Sequence, residues 1–483
     1  MNNVLAALES LPGDALLGYL QRQRWFGAKG AVPSAAHVQD AVVLPWGDGA
    51  FAIARIAVEL GDGTRQTYQL PVTTRASGDA IGAGLSEASR DDDFRRGLID
   101  ALKRGASAET NGLRWIAESA SNVDLPAEST VGSAEQSNTS IVIGDRAILK
   151  LFRMLKPGVQ PDVEVTRFLT RVGFENTPKL LGSIRFERGN EVTTAGMLQT
   201  YLAGSSDAWS HALETGRAYF AAPMNVEPSN AFLDDAKRLG VITRSLHEAL
   251  ASDDDDPAFE PEPIEPEDLD RWSHRTQQSI RDSLELLERQ LPSKTFPAER
   301  RAEAEALLRR KDHYLGWIDE INDYLGDDVG VRIRVHGDYH LGQVLRTASN
   351  DFMVIDFEGE PSRSLDERRE KTSALRDVAG MLRSFAYAAA TLGMEAGKAI
   401  DPRTREIRMA RWERDVRLAY LEGYLSAAVG DESDILPEDQ SHIKQLIALF
   451  ETEKAFYELA YELNNRPAWA WIPMRGISKL FTA

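Results

Sequence analysis

Cysteine is missing from all 483 residues of this sequence. That removes disulfides, cysteine-type zinc sites and thiol catalysis from consideration. Long apolar runs are missing as well, since none approaches the roughly 18 residues that a membrane-spanning helix needs. The opening residues, MNNVLAALESL, carry no basic stretch ahead of an apolar one, so no signal peptide is read there. Cytoplasmic residence and no membrane partner are the resulting expectations. Positive charge is in short supply, with 56 Lys and Arg against 75 Asp and Glu and a formal charge of −19. Binding a phosphate backbone needs clustered cations, so no nucleic-acid partner is expected.

What is present fits a folded chain. Hydrophobic residues make up 42% and charged residues 27%, enough apolar mass for a core. The length is that of about three domains. Val4, Leu5, Leu8, Leu16, Leu17 and Leu20 recur at helical spacing over 4–24, with a break at Pro12-Gly13. Over 41–72, FAIARIAVEL, a Gly61-Asp62-Gly63 turn and TRQTYQLPV read as a hairpin. DDDFRRGLIDALKRG reads as helix and GLRWIAES as strand. A polar segment over 132–140 then precedes IVIGDRAILKLF, a hairpin with its turn at Gly144-Asp145. A helix follows Pro161, and strands follow around KLLGSIRF and VTTAGMLQTYL. Beyond about 205 the pattern is helical, with long helices expected at 268–291, 297–325, 364–393, 403–428 and 437–463. The acidic, proline-rich stretch over 253–268 reads as a solvated loop.

The most informative segment is VHGDYHLGQVL at 335–345, followed by FMVIDFEGEP at 352–361. It reads as a polar loop, a short strand, a turn and a second strand ending in an acid. Asp338 and Asp356 would project at one end of that hairpin, and Gln343 lies five residues after Asp338. Phosphoryl transfer uses such a set: one carboxylate for the proton of the attacking hydroxyl, and an amide oxygen with a second carboxylate for Mg2+. A plain turn capped by Asp338 remains an alternative, as does a metal-hydrolase fragment built on His336 and His340. The hydrolase would need two or three further ligands, which the sequence does not cluster. His336 and His340 read as groups that brace the loop.

These motifs resemble the aminoglycoside-phosphotransferase-like kinases, and within them the maltokinase subgroup. Gln343 stands where the family usually has Asn, and the tail Glu358-Gly359-Glu360-Pro361 fits maltokinases, whereas related glucosamine kinases tend to carry another acidic tail. The resemblance extends to RQRWFGAKG at 22–30, TYQLPV at 67–72, AEQSNTSIV at 134–142, LKLFR at 149–153, SALRDVAGMLRSFAYA at 373–388 and YELNNRPAW at 461–469. It implies an α+β, bilobal protein-kinase-like fold. A cap would span 1–127, a small antiparallel nucleotide-binding sheet lobe 128–204, and a large helical lobe 205–483.

The same resemblance assigns roles. Asp338 would be the catalytic base, in contact with substrate, and Gln343 and Asp356 would hold Mg2+. Ser137, Asn138 and Thr139 would meet the phosphates of ATP, although a polar hairpin turn explains them equally well. Lys150 is a lone lysine in an apolar strand, needing a partner if it points inward and none if it faces solvent. Kinases supply ATP phosphates and a helix glutamate, here Glu164. Gln199 and Tyr201 occupy the place of the adenine-binding hinge. Lys454, Tyr457 and Tyr461 share one helix face and would grip the sugar, or the tyrosines simply pack. Arg466 and Trp469 are weaker sugar candidates. Asp377 looks like a supporting acid of the family, and Trp25, Phe26 and Lys29 like part of the cap signature. The implied reaction is ATP-dependent phosphorylation of maltose to maltose 1-phosphate, feeding α-glucan (glycogen) synthesis from trehalose through a trehalose synthase. An aminosugar kinase on the same scaffold, and a non-catalytic partner of trehalose synthase, are the alternatives. A monomer or weak homodimer is expected.

Overall fold

A computed structural model describes residues 4–27, 32–76, 78–120, 123–132, 137–223, 226, 228–326, 328–360, 363–426 and 435–481. Lys29, the stretch 133–136 of the polar segment, Pro361 and residues 427–428 of an expected helix lie outside the described residues. The chain divides into two compact units, Met1–Arg171 with Thr177–Gly204, and Val172–Asn176 with Ser205–Ala483.

The first unit holds two antiparallel sheets. Helices α1 (Val4–Glu9) and α2 (Gly13–Gln21) precede β1 (Pro33–Val43), β2 (Phe51–Leu60), β3 (Arg65–Thr73), β4 (Ala80–Gly82) and β5 (Leu85–Glu87). These strands form one sheet in the order β1-β2-β3-β5-β4. The run FAIARIAVEL lacks a simple alternation because both of its faces are buried. Ala52, Ala54, Ile56 and Val58 face Val4, Leu8, Leu16 and Leu20 of the two helices. Phe51 and Ile53 face a second cluster with Phe94, Leu98 and Leu102 of α3 (Asp92–Arg104). Asp91 starts α3 by accepting from the N–H groups of Asp93 and Phe94, at 2.9 and 3.1 Å.

The second sheet comprises β6 (Ser107–Thr110), β7 (Leu113–Ser119), β8 (Ser129–Val131), β9 (Asn138–Ile143), β10 (Ala147–Phe152), β12 (Leu180–Arg188) and β13 (Glu191–Thr200). Its order is β6-β7-β12-β13-β10-β9-β8. Strand β11 (Met154–Leu155) continues β10 and pairs with β3, so one stretch of chain joins the two sheets. Ala147, Leu149 and Leu151 bury themselves in the cluster shared with α3. Ile148, Lys150 and Phe152 take the opposite face by strand alternation. There Phe152 and Met197 pack on Val163 of α4 (Pro161–Val172).

The second unit is mainly helical: α5 (Ala208–Ala221), α6 (Leu233–Leu250), α7 (Pro266–Gln290), α8 (Arg301–Leu308), α9 (Lys311–Leu325), α10 (Leu365–Arg369), α11 (Leu375–Ala396), α12 (Pro402–Ser426), α13 (Gln440–Asn465) and α14 (Trp471–Leu480). Two small sheets accompany them, β14 (Ser206–Asp207) with β17 (Val344–Arg346) and β18 (Phe352–Val354), and β15 (Glu262–Pro263) with β16 (Val331–Ile333) and β19 (Thr372–Ser373). None of the described helices is long and apolar enough to cross a membrane.

Several elements differ from the expectations. The helix expected over 297–325 is interrupted, because the apolar series lapses at Arg309-Arg310-Lys311-Asp312 and α8 and α9 bury separate residues. The helix expected over 364–393 is divided too. Ser364 and Glu367 form a capping box for the short α10, and then Thr372 and Ser373 extend to pair with Ile333 and Arg332. Helix α11 therefore begins at Leu375 and carries Asp377 in its first turn. Strand β1 starts eight residues earlier than expected, in a stretch too polar and alanine-rich to advertise it. Helix α14 was not expected, because Pro473 and Gly476 disguise it, although proline is well tolerated in a first turn.

Candidate functional site

The loop from Arg334 to His340 is held from beneath by a single carboxylate. Asp377, 1% exposed, accepts the backbone N–H groups of His336 at 2.7 Å and Gly337 at 2.9 Å. His247 Nε2 lies 3.2 Å from the same carboxylate and its Nδ1 meets Tyr424 Oη at 2.9 Å. Burial opposes ionisation of Asp377, yet the His247 contact and the N–H donors outweigh it and hold the carboxyl below the ordinary aspartate value. His336 braces the loop on the other side. Its Nε2 donates to Ile355 O at 2.9 Å, which leaves Nδ1 to accept the N–H of Asp338 at 3.3 Å. His340 Nδ1 accepts from Gly342 N–H at 3.0 Å. Both histidines thus bond to backbone, as the sequence led us to expect.

The loop also packs tightly on α11. A β-carbon on Gly380 would stand 2.6 Å from the carbonyl oxygen of Tyr339, so only glycine allows this approach. Leu341 N–H donates to Ser384 Oγ at 3.1 Å, and Tyr339 Oη meets Thr243 Oγ1 at 3.1 Å. The result is a rigid mount for Asp338.

Strands β17 and β18 pair in the register Val344 to Val354, and this brings Gln343 to Asp356. Gln343 Nε2 donates to Asp356 Oδ2 at 3.0 Å. Asp356 sits at φ 68°, a left-handed conformation that Asp tolerates better than most residues and that is common where a site holds a side chain in a set place. With the amide nitrogen used on Asp356, Gln343 has its oxygen left for a cation.

Lys454 of α13 completes the constellation around Asp338. Its Nζ lies 3.1 Å from Asp338 Oδ1 and 3.1 Å from Glu360 Oε1. Glu360 in turn meets Arg363 at 2.9 Å, and Arg363 and Arg376 reach Glu453 at 3.5 and 2.9 Å. Burial works against the charge on Asp338, but Lys454 and His340 override it and keep the carboxyl below its usual value. The two carboxylates likewise raise Lys454 despite its burial. Asp338, Glu360, Lys454 and Tyr457 line a cavity of about 330 Å³, also bounded by Arg275 and Arg376. That is the low end of the range for small-molecule sites. Lys454 stands 5.0 Å from the centre of the Tyr457 ring. Tyr461, one turn on and 48% exposed, is not among the residues that line the cavity. Arg466 lies between Tyr461 and Trp469, 5.8 and 4.7 Å from the two rings, and is held by Glu462 at 2.9 Å.

In the first unit, Lys150 points inward. Its side chain is 15% exposed and pairs with Asp162 at 3.3 Å. Asp162 on α4 thus stands beside Lys150, and the expected Glu164 lies two residues on in the same helix, half-buried. Ser140 lies directly opposite Lys150 across β9 and β10, and Asn138 opposite Phe152, so Asn138 shares the face of Lys150. Ser137 is exposed just before β9 and its Oγ accepts from Asn138 Nδ2 at 3.3 Å. Thr139 departs from expectation. Alternation turns it to the other face, where its hydroxyl accepts from Arg153 Nε at 2.8 Å. Gln199, next to last in β13, lies opposite Ile148, and Tyr201 N–H donates to Arg146 O at 2.9 Å. Trp25 and Phe26 pack against Tyr68, with ring centres 6.0 and 5.2 Å apart.

Asp162, Arg363 and Glu453 were missed as site neighbours. Glu360 stood in a quoted motif, but nothing local in the sequence paired it with a lysine 94 residues later. The tie between Asp377 and the loop is equally non-local.

The chain resembles known proteins. Residues 19–103 match the maltokinase N-terminal cap domain. The chain is 25% identical over 353 residues to a glucosamine kinase of Streptacidiphilus jiangxiensis, covering 72% of each chain. It is 23% identical over 407 residues to a glucosamine kinase of Mycolicibacterium smegmatis, covering 83% of this chain and 88% of that one. A solved glucosamine kinase, in complex with glucosamine, ADP and inorganic phosphate, matches with a TM-score of 0.67 and 22% identity, over 93% of this chain and 95% of that one. At that identity the likeness establishes the fold, an α+β bilobal kinase fold. The cap match, the fold and the two relatives agree in what they resemble: the chain is similar to maltokinase-like kinases.

Proposed function

We propose that this chain is a cytoplasmic sugar kinase that transfers the γ-phosphoryl group of ATP to the anomeric hydroxyl of maltose, giving maltose 1-phosphate and ADP. The observation that carries the choice of sugar is Lys454. Its ammonium bridges Asp338 and Glu360, so these two carboxylates of the cavity already have a cation. A neutral sugar hydrogen-bonds to such a set without disturbing it, whereas the ammonium of an aminosugar meets a like charge. The match to the maltokinase N-terminal cap supports a sugar kinase of this type.

Asp338, held ionised, accepts the proton of the anomeric hydroxyl as that oxygen attacks the γ-phosphorus and the bond to ADP breaks. Lys454 orients Asp338 and donates to sugar hydroxyls, with Tyr457 as an apolar wall and Tyr461 beyond it. Lys150, Ser137 and Asn138 steady the nucleotide phosphates, and Gln199 and Tyr201 mark the adenine end. An amide oxygen beside a carboxylate suits a hard divalent cation, so Gln343 and Asp356 would hold Mg2+. When bound, Mg2+ supplies charge neutralisation on the phosphates. By the resemblance, the product would enter α-glucan synthesis, with maltose supplied from trehalose by a trehalose synthase.

The relatives support a second reading, a glucosamine kinase, since the two relatives described above carry that name and the solved one contains glucosamine and ADP. A coupled ADP-release assay over maltose, glucose and glucosamine separates the two. Turnover with maltose that vanishes in Asp338→Asn is expected. Turnover with glucosamine but none with maltose would overturn the choice of sugar and leave the kinase intact.

A further inference from the structure

A second cavity lies in the helical unit, and it shares no lining residue with the cavity at Asp338. It measures about 610 Å³ and is walled by the end of α11, the first two turns of α12, the start of α8 and α14. That volume takes a ring-sized metabolite. Met409 and Met474 give it buried apolar lining, and Trp471 adds a half-buried ring. Arg300, Arg405 and Arg475 bring three guanidinium groups to it. The carboxylates among them are engaged. Glu303 holds Arg300 at 2.9 Å, and Glu406 holds Arg475 Nε at 2.8 Å. The buried Glu413 takes Arg475 Nη1 at 2.9 Å and Lys479 at 2.6 Å.

Donors are left over. Arg475 Nη2 is shut off from solvent and has no hydrogen-bond acceptor among the described residues. A buried donor of this kind costs stability unless something accepts from it. Arg405 gives Nη1 to the carbonyl of Gly397 at 2.8 Å and has no carboxylate partner among the described residues. Spare donors and spare positive charge are what an acceptor-rich anion needs, and guanidinium forks match phosphate oxygens. A bare phosphate would use the arginines and leave Trp471 and the methionines idle. We infer that this cavity is a second small-molecule site, which takes the phosphate monoester of a small sugar, with Arg405 and Arg475 on the phosphate and Trp471 beside the ring. Which sugar accepts a phosphoryl group at Asp338 has no bearing on it.

Calorimetry on the full chain tests it, with glucose 6-phosphate and inorganic phosphate as probes and Mg·ADP present throughout. Arg405→Gln removes the charge and keeps a donor for the Gly397 carbonyl, and Trp471→Leu removes the ring. Glucose 6-phosphate should bind the wild-type chain. Arg405→Gln should weaken it roughly tenfold or more, the scale of one hydrogen bond to a charged group. Trp471→Leu should weaken glucose 6-phosphate and leave inorganic phosphate as it was. A wild-type chain that binds no glucose 6-phosphate would overturn the site, as would equal affinity in a folded Arg405→Gln variant. Should Arg405→Gln fail to fold, wild-type affinity for glucose 6-phosphate in Trp471→Leu would overturn it. Inorganic phosphate bound as tightly as glucose 6-phosphate would overturn the sugar and assign the cavity to free phosphate.

Discussion

At the scale of single residues, Lys454 governs the chemistry of Asp338. The ammonium 3.1 Å away outweighs burial and keeps the carboxyl below its ordinary value. Lys454→Met removes that influence, so the Asp338 carboxyl rises and its base form is lost at higher pH. The acidic limb of the kcat/KM profile should therefore move to higher pH. An unmoved limb would show that Lys454 does not tune the base. Asp377 acts on stability instead. Its folded-state value is depressed, so its contribution is present above the unfolded value and lost as pH falls through the folded one. Asp377→Asn leaves a buried His247 and two backbone donors poorly matched, at a cost of about 3 kcal/mol. Urea unfolding should show that loss near neutral pH and a shallower decline on acidification than in wild type. Parallel declines would contradict the assignment.

At the scale of elements, the contact between α11 and the Asp338 loop decides whether the proposed base is held still. Alanine is favoured over glycine by about 1 kcal/mol within a helix. At Gly380 that gain is opposed by a β-carbon 2.6 Å from the Tyr339 carbonyl oxygen, a backbone atom that cannot swing aside. Overpacking of this kind costs about 1 to 3 kcal/mol. Gly380→Ala should lower the thermal midpoint and reduce kcat more than the KM for sugar. A raised midpoint would show that the loop yields. The same contact marks the limit of what the sequence discloses. Asp338, Gln343 and Asp356 were legible because one short hairpin carries all three, and their spacing is local. The start of α11 was not, because strand β19 takes Thr372 and Ser373 to pair with a segment some forty residues earlier in the chain. Asp162 lies two residues from Glu164 on one helix, and helical periodicity alone does not place it beside Lys150. Thr139 was assigned by motif to a face that strand alternation, once the register with β10 is known, gives to Arg153 instead.

At the scale of the molecule, two compact units divide the labour. The first joins a cap sheet to the sheet bearing Lys150 through a single stretch of chain, with Gln69 and Arg153 as its polar fastenings. The second mounts Asp338 on buried helices and surrounds it with a ladder of ion pairs from α13 and α11. The absence of cysteine fits this division, because the proposed reaction runs on carboxylates, a divalent cation and lysines. What the molecule does with them comes down to the acceptor. The most direct measurement is phosphorus NMR of the product formed from Mg·ATP and maltose, with glucosamine in a parallel reaction. The account predicts an anomeric phosphate on maltose and little product from glucosamine. A phosphorylated glucosamine, with maltose recovered unchanged, would contradict it.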